Sequence, residues 1–120
     1  MSLIMSLKIL DHPISEFKKG DVIVQEGTPG GAVYVLLSGS VEVSLSGQFI
    51  TGSSKEGDTF GEIASIKSCN HGATVTASED SQFFIIKDFI THLKQNPDDS
   101  IYVMKMFCDR IIKMNQDIVT

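Results

Sequence analysis

The residues able to do chemistry gather between Phe60 and Thr74. Phe60-Gly61-Glu62-Ile63-Ala64 reads as a tight turn running into a short helix that begins near Glu62. Gly61 frees the backbone for that turn, and the amide N–H groups at a helix start lack intrahelical partners. Such groups make a ready cradle for a phosphate. Glu62 is either a fixed acceptor for a ligand hydroxyl or a carboxylate favoured only by the helix dipole. Nine positions on stands His71, followed by Gly72-Ala73-Thr74, which offer backbone N–H groups and one hydroxyl. Thr74 reads equally well as a β-forming residue facing solvent.

Other reactive residues form no pattern. His12, His71 and His92 show no His-x-His and no His-Glu-x-x-His, so no metal is expected. Cys69 and Cys108 are 39 positions apart, without metal-ligand spacing. Two thiols with no export signal read as free in a reducing compartment, which points to the cytoplasm. Cys69 reads as an inert loop thiol and Cys108 as core. No nucleophile–base pair and no paired carboxylates form a motif, so neither catalysis nor a cofactor is expected.

The elements that must position these residues come from one domain spanning 1–120. The chain has 120 residues, 42% hydrophobic and 21% charged, enough for a single core. A net charge of −5 argues against nucleic acid as a partner. Lys18-Lys19 is the only adjacent basic pair and reads as a solvated turn. No apolar run approaches the ~20 residues that cross a bilayer, so no membrane is expected. Met1–Leu10 lacks the basic start and cleavage site of a signal peptide. Met-Ser-Leu recurs at Met5–Leu7, which makes Met5 a candidate start.

From about 14 to 87, short strands alternate with glycine turns: Gly20-Asp21, Gly27-Thr28-Pro29-Gly30-Gly31, Ser38-Gly39, Ser46-Gly47 and Gly57-Asp58. Val41-Glu42-Val43-Ser44-Leu45 alternates with the period of two that a half-buried antiparallel strand requires. This predicts a mainly β fold, an antiparallel β-roll or jelly roll. Helices follow from about 88 to 118. Asp88 caps a short one, Asn96-Pro97 interrupts, and a longer helix opens on Asp98 and Asp99. Along it Met104, Phe107, Ile111, Met114 and Ile118 recur every three or four positions. Two readings stand open: the stripe packs back on the roll, or pairs with a second copy as a homodimer.

Phe17 to Gly27, with Tyr34 to Val43, resembles the opening half of the cyclic-nucleotide-binding domain of protein kinase regulatory subunits, gated channels and Crp/Fnr-type bacterial regulators. Phe60 to Ala64, with Ala73-Thr74-Val75, is similar to that family's phosphate-binding cassette, and Asn96 to Ile111 to its closing helices. The resemblance implies a β-roll with a cassette helix and a terminal α-helix. It implies a nucleotide site of Gly61, Glu62, Ile63, Ala64, His71, Gly72, Ala73 and Thr74, with Glu62 on the ribose 2′-hydroxyl. At His71 the family carries an arginine, and at Asn70 usually a proline.

Arginine holds two phosphate oxygens with a permanently charged fork, whereas histidine, with an ordinary pKa of ~6.5, is mostly neutral at pH 7. The exchange weakens binding by about a hundredfold. His71 then either contacts phosphate when protonated or is a plain surface residue. Gly72 stands where cyclic-GMP-preferring members often carry a hydroxyl, so cyclic AMP (cAMP) is the expected ligand and cyclic GMP (cGMP) the lesser one. Arg110 is expected in a solvent or intramolecular ion-pair role rather than in contact with the ligand. The implied function is a regulatory sensor in signal transduction, as in transcriptional regulators. The alternative is a scaffold of the same fold that binds protein partners without nucleotide. The chain is then a piece of a longer regulator, a standalone module, or a subunit acting through a partner.

Overall fold

The computed structural model describes residues 2–119, with side chains through 116. Among these residues the order is α1 (Leu3–Ile9), β1 (Ile14–Phe17), β2 (Val22–Val24), β3 (Val33–Ser38), β4 (Val41–Leu45), β5 (Gln48–Ser53), β6 (Thr59–Phe60), α2 (Glu62–Lys67), β7 (Thr74–Ala77), β8 (Ser81–Ile86), α3 (Phe89–Gln95) and α4 (Pro97–Val119). The strands form two antiparallel four-stranded sheets, ordered β1-β8-β3-β6 and β2-β7-β4-β5. The predicted β-roll with C-terminal helices is the observed architecture, and the barrel is not closed.

Its first sheet is buried on both faces. Leu36 and Phe83 point into the roll, where they meet Ile23, Val24, Val41, Val75 and Ala77 of the other sheet. Val33, Val35, Phe84 and Ile86 point outward and are covered by α1, α3 and α4 through Leu3, Leu7, Phe89 and Val103. Because successive strand residues face opposite ways, the unbroken run Phe83 to Ile86 serves both cores. Phe83 packs edge-on against Phe17, Tyr34 and Phe60.

Helix α1 is a departure from the sequence reading, which assigned no element there. Ser2 caps it by accepting a bond from the Met5 amide at 3.2 Å, and Leu3, Ile4 and Leu7 are buried. Residues ahead of Met5 therefore belong to the packed fold. The helices are joined by a buried polar knot. Ser6 Oγ of α1 donates to Asp99 Oδ2 of α4 at 2.7 Å, and His92 Nε2 of α3 meets the same oxygen at 2.7 Å. His12, far away in sequence, lies edge-on to His92 with ring centroids 5.2 Å apart.

Two expectations on α4 change. Its inward side is Val103 with Tyr102, Met106 and Phe107, while Met104, Ile111 and Met114 are exposed. The predicted stripe is thus divided: Phe107 packs on the roll and the other three face outward. Ile118 lies outside the residues with described side chains. Cys108 is exposed rather than core, because it sits next to the outward Met104 and Ile111 on the helix wheel. No helix among the described residues is long and apolar enough to cross a membrane.

Candidate functional site

The cassette helix α2 is held by its two ends. Gly61 has φ +89°, and a Cβ there would lie 3.1 Å from the Ala32 carbonyl oxygen and 3.3 Å from His71 Cε1. Only glycine gives both that left-handed turn and that room. At the other end Ser68, also left-handed, caps the helix by donating its amide to the Ala64 carbonyl. The loop beyond is zipped to the β2–β3 loop. Gly27 N–H donates to His71 O and His71 N–H to Thr28 O, each at 2.9 Å, and Gly30 N–H donates to Cys69 O at 3.1 Å. Pro29 pairs with Asn70 in an isolated bridge.

These supports place Gly61, Glu62, Ile63, Ala64, His71, Gly72 and Ala73 around one cavity of about 560 Å³. Val24, Val43, Val75 and Phe60 make its apolar wall, suited to a planar ring, while Thr51, Gly52, Ser53 and Asp58 make a polar side. The Asp58 carboxylate accepts a hydrogen bond from Ser53 Oγ. Thr74, the eighth residue of the expected site, does not line the cavity. Its hydroxyl is buried between the strands, accepting from Glu26 N–H at 3.1 Å and Gln25 Nε2 at 3.2 Å. It neither faces solvent nor reaches the cassette cavity, since β7 turns it to the opposite side from Val75.

Glu62 is buried and already has a partner. Arg110 Nη1 of α4 donates to Glu62 Oε1, and Arg110 Nη2 donates to the Thr59 carbonyl at 3.4 Å. The guanidinium carbon also lies 5.7 Å from the Phe107 ring centroid. Arg110 is therefore in the intramolecular ion pair expected of it, and it lines the cavity as well. Lys113, one turn along, also lines the cavity, which the sequence reading does not include. The available signal was that Arg110 is the only arginine in the chain.

Chemically the cavity offers a buried carboxylate acceptor, the basic side chains of Arg110 and Lys113 from α4, backbone amides from the cassette, and an apolar wall. A phosphorylated sugar with an attached ring matches that set. Residues 14–96 match the sequence profile of the cyclic nucleotide-binding domain, and the chain belongs to that family. It is similar to a Toxoplasma gondii cGMP-dependent protein kinase, 40% identical over 62 residues, which are 52% of this chain and 6% of that protein. It is also similar to a cAMP-dependent protein kinase regulatory subunit of Hypocrea atroviridis, 40% identical over 65 residues, 54% of this chain and 14% of that protein. The chain thus spans only a small part of these relatives' length. Among solved structures, the Thermus thermophilus catabolite activator protein superposes with a TM-score of 0.79 at 18% identity, over 95% of this chain and 56% of that one. A cAMP-bound PfPKA-R structure superposes with a TM-score of 0.73 at 22% identity, over 98% of this chain and 41% of that one. At these identities the two superpositions establish the fold.

Proposed function

We propose that this chain is a regulatory sensor that binds cyclic AMP weakly and does not catalyse a reaction. It works in the cytoplasm without a cofactor. One observation carries this reading: two stretches apart in sequence, Gly61–Ala64 and His71–Ala73, converge on one cavity with Glu62 buried beside it. Weak binding follows from His71, an imidazole where the family places a guanidinium. Cyclic AMP is preferred over cyclic GMP because Gly72 offers no hydroxyl to a guanine. The output runs through α4, which touches the site by Arg110 and presents Met104, Ile111 and Met114 outward to a second copy. Sedimentation of the protein against Ile111→Lys tests that pairing, and a concentration-independent monomer for both refutes it.

A second reading has its own support. Because Glu62 is neutralised by Arg110 within the chain, the same pocket is also consistent with a scaffold that needs no nucleotide. Isothermal titration with cyclic AMP and cyclic GMP decides between them. Binding in the micromolar range, tighter for cyclic AMP, supports the sensor. No heat from either nucleotide supports the scaffold.

A further inference from the structure

No lysine or arginine of the cassette lines the cavity, since its Lys67 lies at the far end of α2, yet the cavity is not without cations. Position 71 carries an imidazole, and its backbone is fixed on both sides by bonds to Gly27 and Thr28, with its ring against Gly61. An ordinary imidazole is mostly neutral at pH 7. The negative groups on the cavity are Glu62 and Asp58. An anionic ligand entering between two carboxylates is repelled unless cations offset them. The basic side chains lining the cavity, besides His71, are Arg110 and Lys113, and both belong to α4.

Arg110 is built for the task. It is the chain's only arginine, and its side chain remains 40% exposed although Glu62 beneath it is only 5% exposed. A guanidinium has five donors in a fixed fork. Here Nη1 engages Glu62, and Nη2 engages the Thr59 carbonyl and Met106 Sδ, which leaves Nε–H and one Nη1–H for a further acceptor. Lys113, one turn on, adds a second charge on the same helix face.

We propose that Arg110, assisted by Lys113, holds the anionic phosphate of the ligand, in place of the missing cassette cation. The guanidinium is then shared between Glu62 and the ligand, so the charge that retains the ligand resides on α4 rather than on the cassette. This assignment rests on the sensor reading above, and its test separates the two.

The experiment is isothermal titration of the whole chain with cyclic AMP at pH 6 and pH 8, for the wild type, Arg110→Gln, Arg110→Lys, Lys113→Gln and His71→Gln. Arg110→Gln is expected to weaken binding by about a hundredfold and Lys113→Gln by about threefold, while His71→Gln stays within about threefold. Because a guanidinium stays charged throughout, wild-type affinity should change by less than about threefold between the two pH values. Circular dichroism checks that Arg110→Gln is folded. If it is not, Arg110→Lys takes its place, keeping the charge for Glu62 but losing the fork, with an expected loss of about tenfold. Binding that survives both Arg110 variants overturns the assignment alone. So does wild-type binding that weakens at least tenfold from pH 6 to pH 8 and collapses in His71→Gln. No binding to the wild type overturns the assignment and the sensor reading together.

Discussion

Gly30 and Gly31 are neighbours in one loop, yet only the first should resist replacement. Neither has a positive φ, so backbone strain is not the issue at either position. A Cβ on Gly30 would lie 2.5 Å from Ala64 Cβ, 2.7 Å from the Ala64 carbonyl carbon and 2.8 Å from its oxygen. Carbon atoms pack best at about 3.5–4.0 Å, so α2 must move by about 1 Å. Its backbone cannot do so freely, because Gly30 is bonded to Cys69 and Cys69 in turn to Ala64. Overpacking of this kind costs about 1–3 kcal/mol, offset in part by the roughly 0.4–1 kcal/mol that alanine contributes by stiffening the unfolded chain. The net loss is about 1–2 kcal/mol. For a chain of this length, an unfolding entropy of about 2.1 cal/mol/K per residue converts each kcal/mol into about 4 °C. Gly30→Ala should therefore melt about 4–8 °C lower by circular dichroism. Gly31→Ala, with nothing within 4 Å of its new methyl, should melt unchanged or up to about 4 °C higher. Since α2 carries the cassette, cyclic AMP binding should also weaken in the first variant and not in the second. Equal melting points for the two variants would refute the close-packing argument.

Removing the shared acceptor of the polar knot, Asp99→Ala, strands the Ser6 hydroxyl and the buried His92 ring. It should cost about 3–5 kcal/mol in urea unfolding, against about 1 kcal/mol for Ser6→Ala. Phe83→Ala empties the centre of the aromatic cluster inside the roll and should cost about 3–5 kcal/mol by the same measurement, with a slope still consistent with two-state unfolding. At the start of α3, the Thr91 amide and then its hydroxyl hold the Asp88 carboxyl below the usual value near 3.8. Its support for α3 is thus in place above that value and fades as pH falls through the lowered one. A carboxyl NMR titration should find that low midpoint, and amide exchange at Thr91 should quicken in Asp88→Ala more than in Asp88→Asn.

The roll was legible because its signals are local. The alternation of Val41 to Leu45 sets buried Val41 and half-buried Val43 on one side of β4, and glycine turns mark the strand ends. Gly61 and Glu62 could be placed at the start of a short helix for the same reason: the turn and the helix start lie side by side in the sequence. What failed was long-range or rotational. Seven residues of α1 are too few for a helical period to stand out, and tertiary packing of Leu3 and Leu7 makes the helix. A stripe at mixed spacings of three and four does not fix which side meets the roll, so Cys108 reads as core in the sequence while the fold exposes it. Thr74 adjoins the site residues in sequence, but a strand sends successive side chains to opposite faces and turns it away from the cavity. The pairing of Arg110 with Glu62, 48 positions apart, depends on how α4 crosses the roll, and no local pattern encodes that.

The zipper between residues 27–30 and 69–71 has a consequence for local unfolding. Three backbone bonds, two of which make up the Pro29–Asn70 bridge, join these loops, so neither can open without releasing the other. The amides of Gly27, Gly30 and His71 should therefore form one cooperative opening unit, with hydrogen exchange that slows or quickens together. A bound ligand that touches only the cassette then protects the β2–β3 loop as well, although no residue from 27 to 30 lines the cavity. Occupancy of the pocket should thereby be readable from a loop that does not line it.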